Sequence, residues 1–211
     1  MKLMRGANDM LLFNEQELRV LMTRREASVY SAVEAVDAEK MKSGNLAEIA
    51  TQLASQHALT APRLLEDKVT VEQQEAQVDV RGDPNFMLFD RSRPAYKPGT
   101  QISFFVPFEG NPELFSARPS RWSSNPPRAR VENRELVVSR QGISLNAEQV
   151  KASFQQELAN IKQWLEWIEQ DVSSFNRELH AKVYQRLEAR RERLKNAQGV
   201  VESLGFPTRK R

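Results

Sequence analysis

The chain has no cysteine in its 211 residues, which excludes disulfides, cysteine-ligated zinc, iron-sulfur clusters and thiol nucleophiles. Histidine is nearly as scarce. His57 and His180 are the only two, and neither belongs to a His-Glu-x-x-His or comparable metal-binding pattern. Each reads as an ordinary surface or half-buried side chain. Eight glycines scattered singly leave no Walker loop, dinucleotide fingerprint or Gly-x-Ser-x-Gly elbow. Long apolar runs are missing too. The stretch from Met1 to Phe13 has only Met-Leu-Leu-Phe and carries Asp9, too little for a signal peptide or a membrane span. These absences point to a soluble, cytoplasmic protein with no membrane contact, no cofactor and no bound metal.

What is present suits a folded domain: 40% of residues are hydrophobic, enough for a core without staples. The net charge of +3 conceals an uneven distribution. Residues 177 to 211 carry ten Lys/Arg against four Glu, and residues 118 to 140 carry six Arg against two Glu, so the remainder is acidic at −7. A basic tail on an acidic body points to a polyanionic partner or an acidic protein.

Near the amino terminus, Asn14 with Glu17 makes a capping-box pattern, and Phe13 with Leu18 a hydrophobic staple. They predict a helix from about Glu15 to Met41. Gly44 stops it, and Asn45 with Glu48 caps a second helix, in which Leu46, Ile49, Ala50 and Leu53 share a face and which ends near His57. From Val69 to Arg140 alternation and turn residues predict strands. Ile102, Phe104, Val106 and Phe108 mark a strand with one side on a core, and Pro107 argues for an edge or terminal position. Asn133 and Arg134 join Arg128–Val131 to Glu135–Ser139 as a hairpin.

The most informative stretch runs from Asn146 to Leu204. Val150, Phe154, Leu158, Ile161, Leu165, Ile168 and Val172 follow at intervals of three or four, on one face of a helix. The pattern resumes through Leu179, Val183, Leu187, Leu194, Ala197, Val201 and Leu204, then stops at Gly205 and Pro207. Lys182 and Arg186 shift its phase, and Ser173, Ser174 and Asn176 are good cap residues. A helical hairpin is therefore favoured over an unbroken helix. The expected class is α+β: amino-terminal helices, a small antiparallel or meander sheet, and a long carboxy-terminal helical hairpin. Its boundaries fall at 1–145 for the core, 146–205 for the hairpin packed on it, and 206–211 for a basic tail or linker containing Arg209, Lys210 and Arg211.

Three groups of residues are candidates for function. Lys182, Arg186, Arg190 and Arg193 align on one helix face with Arg191 and Lys195 nearby, a surface able to meet phosphates or an acidic partner. Glu178, Glu188 and Glu192 stand close enough to pair with several of them. Arg128 and Arg130 beside Trp122 form a second cationic candidate, with Trp122 itself read as a core anchor. Phe154, Leu158, Ile161, Trp164, Leu165, Trp167 and Ile168 make a stripe wider than one facing helix can cover, so either the sheet or a second subunit must cover the rest, which makes it a candidate self-association surface. Glu66-Asp67-Lys68 resembles half of the PD-(D/E)xK nuclease motif, in which carboxylates hold a metal ion. The tripeptide arises by composition in a chain this rich in Glu and Lys, and the upstream Asp its motif needs on an adjoining strand is not evident, because Asp37 lies in a predicted helix and no other Asp stands between it and the tripeptide.

Several strings taken together, Val106-Pro107-Phe108-Glu109-Gly110-Asn111, Leu114-Phe115, Arg118-Pro119-Ser120, Phe175-Asn176, Arg190-Arg191 and Leu204-Gly205-Phe206-Pro207, look familiar. They resemble the amino-terminal region of uncharacterised bacterial proteins whose carboxy-terminal part is a restriction-endonuclease-like or, in some, a TIR-type effector domain. The resemblance covers nearly the whole chain but includes no functional motif. It implies an accessory module whose catalytic groups lie beyond the segment matching Leu204 to Pro207, in antiviral defence or defence against foreign DNA. The expected function is a non-catalytic regulatory or assembly module acting through a protein partner or a homo-oligomer. A nucleic-acid-binding module is the first alternative and a metal-dependent nuclease the second.

Overall fold

The computed structural model describes residues 3–6 and 9–207; the basic tail at Arg209, Lys210 and Arg211 lies outside the described residues. Short strands β1 (Met4–Arg5), β2 (Met10–Leu11) and β3 (Gln16–Glu17) precede helices α1 (Leu18–Ala35), α2 (Ala38–Ser43) and α3 (Leu46–His57). Strands β4 (Arg63–Leu64), β5 (Thr70–Asp79), β6 (Tyr96–Glu109), β7 (Ala117–Arg118), β8 (Arg128–Glu132) and β9 (Glu135–Gly142) follow, and helix α4 (Ala147–Ser203) comes last. The class is α+β, with a mostly antiparallel sheet and a long carboxy-terminal helix. Two compact units form, Met1–Leu18 with Thr60–Glu169 and Arg19–Leu59 with Gln170–Arg211. The division falls inside α4, not at the expected boundary between residues 145 and 146.

In the first unit the sheet runs β2-β8-β9-β6-β4, with β1 also paired to β9 and β5 also paired to β6. The β8–β9 hairpin turns at Asn133 and Arg134, both at positive φ (47° and 63°), as a two-residue turn matched to strand twist requires. Phe104, Val106 and Phe108 face the core from β6 as their alternation predicts. Pro107 stands near the end of β6, the terminal alternative of the expectation, while the edge alternative is corrected because β6 is an interior strand. The proline sits where β6 changes partner, between Phe105 opposite Thr70 of β5 and Phe108 opposite Leu64 of β4. Its carbonyl accepts the Leu65 N–H at 2.8 Å, and the turn at Glu66–Lys68 demands no donor there. The first part of α4 packs on the sheet, with Phe154 stacked on Phe104 at 4.0 Å between ring centroids.

The second unit is helical. Asn45 caps α3 by accepting the Ala47 N–H at 3.0 Å, and α3 ends at His57 as expected. The single helix expected from Glu15 to Met41 is instead two. Gln16 and Glu17 are drawn into a parallel ladder with Ala117 and Arg118, which overrides the capping box at Asn14. Asp37 then breaks the run and caps α2, accepting the N–H groups of Glu39 (2.9 Å) and Lys40 (3.1 Å). Those two bonds hold its carboxyl below the usual carboxylate range.

The expected hairpin within 146–205 is also corrected, because α4 is unbroken for 57 residues. Asn176 does not cap. Its amide instead clamps the Leu59 backbone, Oδ1 accepting the N–H at 3.1 Å and Nδ2 donating to the carbonyl at 2.8 Å. The phase shift is accommodated because each unit buries its own stripe, Val150 to Ile168 in the first and Val172, Phe175, Leu179, Val183 and Leu187 in the second. Gly205, at φ 68°, ends the run as expected.

Candidate functional site

The basic series on α4 is committed within the second unit. Glu34 of α1 gathers three guanidinium groups, with Arg186, Arg190 and Arg193 at 3.7, 3.6 and 3.0 Å. Arg186 also lies over the Tyr30 ring, 4.7 Å from its centroid, and the Tyr30 phenol, partly buried and bonded to Glu26, is pushed up to about 12. Lys182 pairs with Glu26 at 3.3 Å and with Glu178 at 3.5 Å, and Lys195 with Glu192 at 2.9 Å. Arg190 donates to the Val33 carbonyl at 2.8 Å, while Arg191 donates to the Met41 carbonyl at 2.6 Å and to that of Gly44. Arg191 thus satisfies carbonyls at the end of α2, and Arg190 adds a second donor to the Val33 carbonyl, which also accepts the Val36 N–H at 3.3 Å at the end of α1. The face is chiefly a helix-joining device.

The other expected sites also have structural occupations. Glu66-Asp67-Lys68 forms a 3-10 turn rather than a strand, and Glu66 pairs with Lys162 at 2.7 Å. Among the described residues no three His, Asp or Glu side chains converge into a group able to hold a metal ion. Arg130 pairs with Glu132 at 2.8 Å, and Trp122, expected as a core anchor, is 58% exposed with Arg118 over its ring. The stripe proposed for self-association is internal. Phe154, Leu158, Ile161, Trp164, Leu165 and Ile168 are all buried within the first unit, and Trp167 is half-buried. Of the two coverings the stripe allowed, the sheet and a second subunit, the sheet provides one through Phe104 on Phe154, and the loop carrying Phe13 adds to it over Trp164.

A buried charge cluster in the first unit escaped the sequence reading. Arg140 of β9 reaches Glu157 Oε2 at 3.0 Å, Ser153 Oγ at 2.8 Å and the Ser139 carbonyl at 2.9 Å, and lies 3.9 Å from Asp9. Glu157 also accepts the Arg128 backbone N–H at 2.9 Å and pairs with Arg5 at 3.4 Å. Asp9 Oδ2 accepts the Ser139 N–H at 3.2 Å, whereas its Oδ1 has no partner among the described residues. Burial pushes the Asp9 carboxyl up from 3.8 to about 6, against the opposing pull of Ser139 and Arg140. Burial likewise lowers Arg140. The signal was present in the sequence, since Glu157 stands three residues after Phe154 and four before Ile161, a charge within an apolar stripe. Its acids and its guanidinium tie strands to helix, so the cluster reads as a clasp.

The open feature of the first unit lies at β5. This ten-residue strand pairs with β6 on one side and has no partner on the other among the described residues. The phase of its ladder follows from β6: Pro107 turns its carbonyl to Leu65 while Phe108 donates to Arg134 at 3.1 Å. Odd-numbered β6 residues therefore face β5 and bond to its even-numbered residues. Val71, Gln73, Glu75 and Gln77 consequently turn their N–H and C=O groups to the open edge. Alongside runs a groove of about 630 Å³ between this edge of the sheet and the first turns of α4, lined by Val69, Val71, Ile102, Phe104, Val150 and Phe154 among others. Val71 is 59% exposed within it. An edge with free backbone groups beside an apolar slot has the two parts of an extended-peptide site.

No family model matches the chain, and no curated protein or solved structure is significantly similar to it.

Proposed function

We propose that this chain is a non-catalytic protein-interaction module that captures an extended segment of a partner by adding it as a strand to β5. The observation that carries this reading is the pairing of the open ten-residue edge with the groove beside it. Main-chain bonds to Val71, Gln73 and Glu75 supply affinity in this mode, and alternate side chains dropping beside Ile102 and Phe104 supply selectivity. An edge that only needed protection from aggregation has no use for an apolar slot along its length. The role is that of a regulatory or assembly part, and the likeness of the sequence to the amino-terminal region of bacterial effector proteins supports a place in cytoplasmic defence. No helix among the described residues is long and apolar enough to cross a membrane. Nucleic-acid binding has less support, because phosphates must compete with Glu34 and Glu26 for the α4 cations.

Amide exchange tests the proposal. A saturating peptide of alternating apolar residues should protect the amides of Val71, Gln73, Glu75 and Gln77 from solvent, leaving the even-numbered β5 amides as they were. Gln73→Pro, which removes an N–H that β6 does not use, should abolish binding while the thermal midpoint stays within a few degrees. Binding that leaves the odd-numbered amides in fast exchange would sink the proposal.

A further inference from the structure

Resting on the strand-addition reading, we infer that the segment β5 receives is cationic, with apolar residues on the side facing α4 and Lys or Arg on the opposite side. The argument begins with the composition of the edge. Thr70–Asp79 holds Glu72, Glu75 and Asp79 and no Lys or Arg. Asp79 is paired with Arg81 at 2.5 Å, whereas Glu72 and Glu75 have no ion-pair partner among the described residues. Side chains alternate across a strand, so Glu72 points away from the groove that Val71 and Gln73 line. The one cation lining that groove is Lys151, on the α4 wall. The arrangement therefore asks for apolar residues inside the groove and positive charge outside it, beside Glu72, with Glu75 adding to the attraction beyond the groove lining.

The same charges argue against a second copy of this chain as the occupant. Two β5 edges brought together antiparallel about the middle of the strand, through the odd-numbered residues that face the opening, set Glu75 opposite or diagonal to Glu75 of the other copy, and like charges so placed oppose pairing. Lysines are the usual guards of an open edge. Carboxylates guard equally against self-pairing while leaving the edge attractive to a positive chain.

Three fluorescent decapeptides test this on the intact protein. All carry Val at alternate positions, with Lys, Ser or Glu between them. The Lys peptide should bind about tenfold more tightly than the Ser peptide at 0.1 M salt, the expected scale for one or two exposed ion pairs. The Glu peptide should bind most weakly. Glu72→Lys with Glu75→Lys should reverse the order, with unchanged circular dichroism confirming that the variant is folded. If no peptide binds, the strand-addition reading itself fails. If all three bind alike, that reading stands and the charge inference is overturned. Lys-peptide binding that persists undiminished in Gln73→Pro overturns the inference as well, because the charge would then be acting elsewhere.

Discussion

The Trp164 indole lies stacked on the Phe13 ring, with centroids 5.4 Å apart and planes inclined by 12°, and its Nε1 has no hydrogen-bond partner among the described residues. A helix residue 1% exposed is thus held by a residue at positive φ in the amino-terminal segment. Phe115, 6.0 Å from Phe13 and 4.9 Å from Phe108, extends the aromatic contact to β6. The widest part of the α4 stripe is covered in this way without a second subunit.

Trp164→Glu should therefore unfold the first unit rather than release a monomer. A carboxylate without a partner at that site costs upwards of about 4 kcal/mol, a large part of a typical domain's stability. Trp164→Phe should cost only about 1 to 2 kcal/mol, since the lost contact is partly offset by removal of a buried donor that nothing satisfies. Denaturant unfolding of both variants checks the pair. A well-folded Trp164→Glu protein of reduced oligomeric size would restore the stripe as an interface.

The raised carboxyl of Asp9 sets a pH dependence of definite sign. Its folded value of about 6 exceeds the ordinary 3.8, so the folded state binds a proton that the unfolded state releases between these values. The stability Asp9 contributes is full below about pH 4 and is lost as pH rises through about 6, by roughly 3 kcal/mol if the whole shift is expressed. Asp9→Asn keeps an oxygen to accept the Ser139 N–H and cannot ionise. Relative to this variant, wild type should lose stability between pH 4 and pH 7. Parallel stability profiles across that range would show that Asp9 titrates as in the unfolded chain.

Glu34 predicts an unusual response of the basic face. Reversing Arg186, Arg190 and Arg193 together to Glu surrounds Glu34 with like charge and removes a donor to the Val33 carbonyl. The thermal midpoint should fall by several degrees, corresponding to about 2 to 4 kcal/mol. Adding Glu34→Lys to the triple variant should recover part of the loss. If the triple variant melts like wild type and only nucleic-acid retention changes, the face is a binding surface after all.

Local chemistry determined a good part of this protein. Asn45 can cap and Gly44 can stop a helix wherever they stand, two residues at positive φ suit a tight hairpin at Asn133 and Arg134, and spacing of three and four marks the buried face of α4 from Val150 onward. These depend on interactions within a few residues, so the order of residues suffices to specify them. The capping box at Asn14 and the break expected at Ser173 to Asn176 failed for one physical reason: distant partners, the β7 backbone and the Leu59 peptide, compete for the same groups. Glu34 shows the same competition, since it is separated in sequence from the arginines it gathers. The candidate site was the least legible part. Thr70–Asp79 is polar along most of its length, and only its register against β6, with Val71 opposite Phe104 and Gln73 opposite Ile102, makes it an edge beside an apolar slot. That slot exists because α4 crosses the sheet without covering the last strand, an arrangement decided by how helix and sheet pack rather than by any residue in β5.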